Sequence, residues 1–438
     1  MRLKALRDMD SGELMRAVMF AFTASFLIAG LLSPDLREML PGLRRICTSP
    51  ALLTKDYFAP QLGSVSGAML NAALVGTVCC ALTLLPGAKV DGGTVLAYSL
   101  TVGFCCYGIN ILNILPLMLG VFVYSRIRRE PFARFTNVTM FATGVSPLIT
   151  HLLFYYPAAG ESPRFTVLGL LLALVTGVAF GCAMPAVCEH AKSFHKGYNL
   201  FNAGPAMGFL SILFFAVLHK TAGIEAMPIE VILGEGHRVF VNAFYIITFG
   251  LCAICGAIVN GGFKGYAQVF LDSGYKSDFT AKYAPGLNLM HMGLYGLFLL
   301  LCFNLIGASF TGPTMGAMFS MACCCCLGAT PLNALPIVLG YVAMGLLNMA
   351  GLTAFPINAQ GMVVGLCFAG GLAPISGEYG FAAGVVAGML HYCLVTSIPA
   401  MHGGFNLYNG GFTSGIVCFV YVPILERFFK RRPFRNPR

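Results

Sequence analysis

Charged residues are scarce in this sequence. Only 10% of its 438 residues are Asp, Glu, Lys or Arg, 57% are hydrophobic, and the mean hydropathy is +0.79. Soluble globular proteins carry about 25% charged residues, so this composition excludes a water-soluble surface over most of the chain. The sequence therefore predicts an all-α polytopic membrane protein.

Lysine and arginine are absent from residue 283 to residue 426, and thirteen of the 27 basic residues cluster at the N-terminus, at 126–134 and after Glu426. Basic clusters beside apolar segments are typical of cytoplasmic flanks. This pattern predicts a multi-pass protein of the cell (inner) membrane with both termini cytoplasmic. The lipid bilayer is the expected macromolecular surroundings, and no nucleic-acid partner is expected.

The signatures of enzymes and metal sites are also missing. The sequence contains no H-E-x-x-H, no Walker loop and no nucleophile elbow in a strand–turn–helix setting. The four consecutive Cys residues at 323–326 would point all round a helix, so they cannot converge on one metal and act as small apolar residues. We therefore expect no catalytic residues, no cofactor and no metal site.

Apolar stretches recur along the chain and predict about 10–14 membrane segments. A straight helix needs about 20 residues to cross the hydrocarbon. The stretches 93–107 and 313–327 are shorter, which predicts broken or re-entrant helices. The stretches lie at 15–34, 64–87, 93–107, 110–126, 137–155, 164–188, 198–219, 240–261, 286–309, 313–327, 331–349, 357–375, 381–400 and 405–426.

Several polar phrases occur twice, in the same order. "HKGYNLFNAG" at 195–204 matches "HGGFNLYNGG" at 402–411, and "LNILPLMLG" at 112–120 matches "LNALPIVLG" at 332–340. "ATGVSPLI" likewise matches "AGGLAPIS" further along the chain. Apolar helices often resemble one another by chance, but not with Asn, Pro, His and Gly at matching places. The chain is therefore predicted to be an internal duplication.

The duplication divides the chain into an N-terminal repeat at 1–219, an extracytoplasmic linker at 220–238, and a C-terminal repeat at 239–438 that ends in a basic cytoplasmic tail. The charge bias places an odd number of crossings in each half, so the second repeat is predicted to be inverted. One loop, at 35–62, is assigned to the outside although it holds four basic residues.

Four asparagines recur in the first pair of phrases, namely Asn199 and Asn202, and Asn406 and Asn409. The second Asn of each copy precedes glycine where a helix can begin with free N–H groups. Because an amide both donates and accepts hydrogen bonds, these residues predict a binding site for an amide-like solute or the negative end of a zwitterion. The alternative is that they only cap helices and hold the repeats together.

The L-N-x-L-P-x-x-L-G motif supplies four more substrate-binding candidates. Pro116 and Pro336 lack an N–H and would each leave a helix carbonyl free, and Asn113 and Asn333 lie one turn earlier. A free carbonyl inside a membrane needs a partner, which a solute could provide. The alternative is a proline kink that the asparagine satisfies locally.

Two further pairs complete the predicted site. Glu378 stands alone as an acidic residue in a long apolar region, and its counterpart in the first repeat is His151. We assign both to substrate binding, where a buried carboxyl could hold a proton or cation; the alternative is a loop carboxylate in water. His195 and His402 open the two phrases and are predicted to gate the site from opposite membrane faces.

The layout, with both "LNxLPxxLG" and both "HxG[YF]NL[FY]NxG" motifs, resembles an uncharacterised family of bacterial polytopic membrane proteins catalogued as domain of unknown function 1576. It is more faintly similar to urea channels, which also have two inverted halves with an Asn-Pro element and a Gly-Tyr-Asn-Gly-like element. Here Asn113 and Pro116 are separated by two residues, so no residue roles follow from that similarity.

The sequence thus predicts a transporter or channel for a small polar solute, uncharged or zwitterionic. Its site would lie between the two repeats near the bilayer midplane. The scarcity of intramembrane charge argues against a multiply charged solute. A membrane-embedded enzyme, a lipid-handling protein and a non-transporting partner subunit remain alternatives, and a homo-oligomer is compatible with the sequence.

Overall fold

The computed structural model describes residues 9–49, 55–157, 162–226, 231–234 and 236–431. Over these ranges the chain is helical and contains no β-strand. The predicted all-α fold is thereby confirmed. The basic residues before Asp8, those after Arg431, and part of the linker lie outside the described residues.

The first half consists of helices of unequal length, several of which begin at a side-chain cap such as Asp91 or Thr166. Its helices are α1 (Ser11–Leu31), α2 (Met39–Thr48), α3 (Val65–Thr83), α4 (Gly92–Gly103), α5 (Leu115–Arg128), α6 (Thr136–Ala142), α7 (Ser146–Tyr155), α8 (Val167–His195) and α9 (Gly204–Ala222).

The second half repeats this order, except that two short helices follow its first long helix where the first half has one. Its helices are α10 (Arg238–Asn260), α11 (Tyr266–Phe270), α12 (Phe279–Lys282), α13 (Pro285–Leu305), α14 (Gly312–Cys323), α15 (Pro331–Met349), α16 (Gln360–Ala369), α17 (Ala373–Tyr379), α18 (Phe381–Val395) and α19 (Asn409–Phe428).

Ten helical segments of the described chain are long and apolar enough to cross a membrane, and Gly92–Cys106, Gly312–Leu327 and Phe381–Val395 are shorter apolar helices. Large apolar side chains on these helices, such as Leu171 and Ile247, are exposed on the surface of the chain. Lipid is the environment in which such a surface is stable. The protein is a multi-pass membrane protein.

Two of the spans are interrupted in the middle. A 3₁₀ turn at Thr143–Val145 separates α6 from α7, and another at Gly370–Leu372 separates α16 from α17. Hydropathy marks 137–155 and 357–375 as apolar stretches and gives no sign of these turns. Pro147 and Pro374, which stand at the starts of α7 and α17, explain why a new helix begins after each turn.

The short helices α4 and α14 pack against each other at the centre and run antiparallel. A Cβ atom added at Gly103 would lie 2.3 Å from the carbonyl oxygen of Gly316. The hydroxyl of Ser320 donates to the carbonyl of Ser99 over 3.1 Å. Close approach of the two backbones therefore depends on glycine at the crossing.

The same kind of helix crossing occurs in both halves. In the first half Gly120 of α5 packs on Gly181 of α8, and a Cβ at Gly120 would lie 2.8 Å from the Cα of Gly181. In the second half Gly340 of α15 packs on Gly388 of α18, with a corresponding separation of 3.0 Å. Gly120 and Gly340 are the last residues of the two L-N-x-L-P-x-x-L-G motifs. The orientation of the two halves in a membrane stays a prediction.

Candidate functional site

The two repeated phrases form the loops between α8 and α9 and before α19, and they fold alike. The Asn199 side-chain oxygen accepts from the Phe201 N–H over 3.0 Å, and the Asn406 oxygen accepts from the Tyr408 N–H over 2.9 Å. Each asparagine therefore fixes a turn in its own loop. Sequence reasoning assigned both to substrate binding, but each amide oxygen serves the fold.

Each loop also pairs with the broken span of the other half. The Leu200 N–H donates to the carbonyl of Gly371, and the Leu407 N–H donates to the carbonyl of Gly144, both over 2.9 Å. Gly371 and Gly144 lie in the two 3₁₀ turns. The breaks in the spans thus free carbonyls that the loops satisfy, and the repeated phrases lie where the two halves meet.

The helices that follow the loops cross at their first turns. A Cβ at Gly204 would lie 2.4 Å from the backbone of Gly411. The Asn199 Nδ2 donates to the carbonyl of Gly411 over 2.9 Å, which ties the first loop to the start of α19. The corresponding atom of the second loop, Asn406 Nδ2, is buried and has no hydrogen-bond partner among the described residues.

The histidines that open the phrases differ in their partners. In both copies Nδ1 accepts backbone N–H groups of the loop, from Gly197 and Asn199 in the case of His195, and from Asn406 in the case of His402. His402 Nε2 bonds to the side-chain oxygen of Asn409 over 3.1 Å. His195 Nε2 is buried without a partner in the described chain.

Asn202, the equivalent of Asn409, faces a cleft of about 720 Å³. Its side chain is half-buried and makes no hydrogen bond to another described residue. In contrast, the Nδ2 of Asn409 donates to the carbonyl of Val395 over 3.0 Å, and Asn409 is only 3% exposed. The first copy of the phrase is therefore open to the cleft, whereas the second copy is closed on itself.

The cleft has a polar and mainly basic lining. Lys196 forms an ion pair of 2.6 Å with Glu426, and the Asp278 carboxylate accepts from the N–H of Thr280. Lys192 and Lys276 have no carboxylate partner in the described chain. The residues that line the cleft are Lys192, Ser193, His195, Lys196, Gly197, Asn199, Leu200, Asn202, Tyr275, Lys276, Ser277, Asp278, Leu327 and Glu426.

An aromatic cluster that sequence reasoning missed borders this cleft. The ring centroid of Tyr198 lies 4.5 Å from that of Tyr275 and 5.9 Å from that of Tyr379. The guanidinium of Arg431 lies 5.1 Å from the Tyr275 ring, which is a cation–π distance. The tyrosine in each of "GYNL" and "SGEY" was the available signal, but nothing in the sequence joined those two segments.

Asn113 and Asn333 are both fully buried and both satisfied within the fold. Asn113 donates to the carbonyl of Gly108 and to the hydroxyl of Thr150, each over 2.9 Å. Asn333 donates to the carbonyl of Gly328 over 2.8 Å. Neither residue lines the cleft described above, and the assignment of both to a solute site stays a prediction.

Pro116 and Pro336 act at helix crossings. Pro116 stands at the start of α5, where its missing N–H costs no hydrogen bond, and it packs on Gly177. Pro336 lies inside α15 and packs on Gly384, so that a Cβ there would lie 2.7 Å from the proline Cβ. The expected free carbonyl thus does not arise at Pro116, because α5 begins only at Leu115.

Glu378 and His151 are not in contact. Glu378 is 8% exposed in α17, and within the described part of the chain its carboxylate makes no hydrogen bond or ion pair. The neighbouring Gly377 packs on the backbone of Ser273. His151 is half-buried, and its ring centroid lies 5.2 Å from that of Phe405 in the second loop. The two residues therefore flank different phrases.

No set of three His, Cys, Asp or Glu residues in the described chain is arranged to hold a metal ion. The Cys residues at 323–326 are buried at the end of α14 and in the turn that follows.

The sequence matches one family model, described as a protein of unknown function (DUF1576), over residues 36–220 and 259–427. No curated protein and no solved structure matches the chain, and the similarity to urea channels stays a prediction. The family match includes the loops, the broken spans and the crossing helices described above. Because it covers most of the chain, the protein belongs to the DUF1576 family.

Proposed function

We propose that the protein is a transporter for a small polar solute, uncharged or zwitterionic, which binds between the two halves. The observation that carries this proposal is the cleft at the first phrase, where His195 Nε2 and the Asn202 amide both lack a protein partner. Buried polar groups are normally paired, so the buried Nε2 needs a partner. A solute in the cleft would pair with the half-buried Asn202 amide directly, and with Nε2 once the loop moves aside.

The hydrogen bonds of His195 define what the solute must offer. Because Nδ1 accepts backbone N–H groups over 3.2 and 3.4 Å, the proton of a neutral ring resides on Nε2. Nε2–H is therefore a donor, and the solute must present an acceptor to it. Asn202 can donate or accept beside it.

The charges of the cleft refine the solute class. Lys192 and Lys276 are not neutralised by described carboxylates, whereas Glu426 is paired with Lys196. Asp278 also lines the cleft, so its three lysines and two carboxylates leave one net positive charge, which favours an acceptor that carries negative charge. A carbonyl or a carboxylate, as in an amide or an amino acid, satisfies both requirements. The chain contributes binding and orientation in this proposal and performs no covalent step.

The packing of equivalent elements supports an inverted arrangement around the site. A Cβ added at Gly92, the first residue of α4, would lie 2.6 Å from the carbonyl oxygen of Cys326. A Cβ added at Gly312, the first residue of α14, would lie 2.6 Å from the carbonyl oxygen of Cys106. These two contacts are exchanged when the two halves are exchanged. A local two-fold axis between antiparallel helices has this property, and inverted repeats in transporters are built around such an axis.

The test is a flux measurement with purified protein in liposomes, over amides, amino acids and polyols, with and without a sodium or proton gradient. We expect at least one solute with a carbonyl or carboxylate to cross. Replacing Asn202 by Leu should lower that flux by about tenfold, because one strong contact is lost. The protein should still insert, since Asn202 makes no contact that the fold needs.

Asn137→Leu is the matched control. Asn137 is also half-buried, but it lies outside the cleft, where its amide contacts Asp91 over 3.3 Å. Flux in this variant should equal that of the wild type. Equal flux in Asn202→Leu and wild type would remove Asn202 from the site, and an absence of flux for every solute class would refute the transporter proposal.

A further inference from the structure

The two copies of the repeated phrase share one His and two Asn residues, but these residues make different hydrogen bonds. His402 and Asn409 are bonded to each other over 3.1 Å and are almost fully buried. Their equivalents His195 and Asn202 are not bonded to each other, and both line the cleft. Since the His and Asn side chains are identical in type, the difference lies in the arrangement of the loops and in their neighbours, because Lys196 and Tyr198 of the first copy are replaced by glycine and phenylalanine in the second.

In a second difference between the loops, the first loop makes the hydrogen bond and the second loop lacks it. The first loop reaches the other half through the bond from Asn199 Nδ2 to the carbonyl of Gly411. The equivalent bond would run from Asn406 Nδ2 to Gly204, and the structure leaves Asn406 Nδ2 buried without a described partner. A fully buried amide donor without a partner is costly. The second loop thus holds a donor that the first loop's arrangement would satisfy.

We propose that His402 and Asn409 form a second solute site, equivalent to that at His195 and Asn202, which their mutual hydrogen bond closes in this structure. When the second site opens, the first closes through a bond between His195 and Asn202. This inference rests on the proposed transport function and makes the protein an alternating carrier. The second site would take the same class of solute, one with an acceptor for His402 Nε2–H.

The connections between the loops explain how one site can respond to the other. Leu200 is bonded to Gly371 of the second half and Leu407 to Gly144 of the first. The first turns of α9 and α19 are in direct contact at Gly204 and Gly411. A movement of either loop therefore shifts a backbone segment that the other loop contacts, and packed interfaces of this kind tend to have discrete alternative arrangements.

Exchange of the two arrangements conserves two hydrogen bonds. The His402–Asn409 bond is replaced by a His195–Asn202 bond, and the Asn199–Gly411 bond by one from Asn406 to Gly204. The bond from Asn409 Nδ2 to the carbonyl of Val395 belongs to the second copy alone, so the free-energy difference between the two states is set by such unmatched contacts. A solute that binds only the open copy can then shift the populations.

The test measures hydrogen–deuterium exchange by mass spectrometry on the full chain in lipid nanodiscs, without solute. Asn409→Ala removes the closing bond of the second site. We expect amide exchange in 403–410 to rise by about threefold or more, and exchange in 196–203 to fall by a similar factor as the first site closes. The fall at the distant loop is the diagnostic result.

Asn202→Ala should have the opposite effect, because it removes the bond that the alternative state needs. Exchange in 403–410 should fall below the wild-type rate. Ser414→Ala is the matched control: it loses one buried hydrogen bond of 3.0 Å, to Phe368, near the start of the same helix α19. It should leave exchange in 196–203 unchanged.

A rise confined to 403–410 in Asn409→Ala, together with unchanged exchange in 403–410 in Asn202→Ala, would overturn the inference. The asymmetry would then be a fixed consequence of Pro399, which starts the 3₁₀ turn Pro399–His402 where α8 is continuous in the first half. If a solute crosses but hydrogen–deuterium exchange in 196–203 and 403–410 does not change in opposite directions, alternation is refuted and the transport proposal is not. Reciprocal exchange rates without flux of any solute would refute the transport proposal instead.

Discussion

Asp272 holds one wall of the cleft through a cluster of hydrogen bonds. Its carboxylate accepts from Lys282 over 2.5 Å, from the Tyr283 hydroxyl over 2.6 Å and from the Gly274 N–H over 2.9 Å. Burial by itself raises the pKa of Asp272, but the bonds from Lys282, Tyr283 and Gly274 outweigh burial and leave the pKa below its usual value of 3.8. The ionised form is therefore favoured by folding.

Asp272→Asn should destabilise the protein by about 1–2 kcal/mol near pH 7, because bonds to a charged acceptor are weakened. Since the folded-state pKa is lower than the unfolded-state value, the carboxylate contributes its full stability above 3.8 and loses it as the pH falls through the folded-state value. The difference between variant and wild type should persist at about pH 5 and shrink below about pH 4. Thermal denaturation in detergent measures it.

Glu38→Gln is the control for this prediction. Glu38 forms an ion pair of 2.9 Å with Arg45, but its side chain is 51% exposed. Exposed ion pairs contribute about 0–1 kcal/mol, so the melting temperature should hardly change. A loss as large as that of Asp272→Asn would show that any removed carboxylate destabilises this protein, and the argument from burial would fail.

The roles of single residues were the hardest feature to predict from the sequence. The repeated asparagines were recognisable, but their roles depend on which carbonyls the fold brings near. Asn113 and Asn333 each donate to a carbonyl five residues earlier, of Gly108 and Gly328, and to one group of a more distant segment. Asn202 has no such partner, and nothing in its own phrase distinguishes it from Asn409. That difference arises only when the two loops are placed in the whole molecule.

Among the helices, α4 and α14 cross at their glycines with their backbones in close contact. Gly316→Ala should destabilise the protein by about 2 kcal/mol or more, because a Cβ there would lie 2.0 Å from the carbonyl oxygen of Gly103 and the two backbones would have to separate. Thermal denaturation in detergent, with size-exclusion chromatography to confirm a folded monodisperse protein, measures the effect.

Gly250→Ala provides the comparison within a helix. Gly250 lies inside α10, and no atom outside its own helix backbone lies within 4 Å of an added Cβ. Alanine should be neutral or stabilise by up to about 1 kcal/mol, since it lowers the entropy of the unfolded chain. If Gly316→Ala melts like Gly250→Ala, the close approach of α4 and α14 is not a stabilising contact.

Most elements were predictable because their apolar stretches have the length of a span. The short stretches at 93–107 and 313–327 were also recognised, and they became α4 and α14 with the 3₁₀ turns that follow. The breaks at Gly144 and Gly371 were not recognised. Their flanks are as apolar as the rest of the span, so hydropathy does not reveal them. Pro147 and Pro374 were the local signal, whereas the pairing of the freed carbonyls with Leu407 and Leu200 has none.

At the scale of the whole molecule, three distant segments meet beside the cleft. Lys196 contacts Glu426 over 2.6 Å, although 230 positions separate them, and the Tyr275 hydroxyl bonds to the Lys196 carbonyl over 3.2 Å. A water-soluble carbodiimide activates a carboxylate as an O-acylisourea, which a nearby amine attacks to form an amide with release of a urea, so this reagent should join Lys196 to Glu426. Peptide mass spectrometry of the digested protein detects the product.

Two lysine variants control this cross-link. Lys196→Arg keeps the charge but removes the reactive amine, so the cross-linked peptide should disappear. Lys192→Arg alters another lysine of the same cleft that has no ion-pair partner in the described chain, and the peptide should remain. A cross-link that survives Lys196→Arg would mean that another lysine reaches Glu426, and no cross-link in the wild type would mean that the end of α19 does not lie against the first phrase.

The duplication was the strongest whole-molecule prediction, and it followed from motif order rather than from composition. The structure has matched crossings in the two halves, such as Gly120 with Gly181 and Gly340 with Gly388. The sequence could not show that each loop pairs with the opposite half. Contacts between segments some 200 positions apart have no local signature, so only the folded chain reveals them.

The starts of α4 and α14 are each completed by an aspartate from the other half. The Gly312 N–H donates to Asp56 over 2.9 Å, and the Gly92 N–H donates to Asp278, 186 positions further along the chain, over 3.3 Å. During synthesis, α4 must consequently wait for the ribosome to reach Asp278 before its first amide is capped. A translation product that stops after α9 would lack that carboxylate, so biogenesis of the first half is finished only when the second half has emerged.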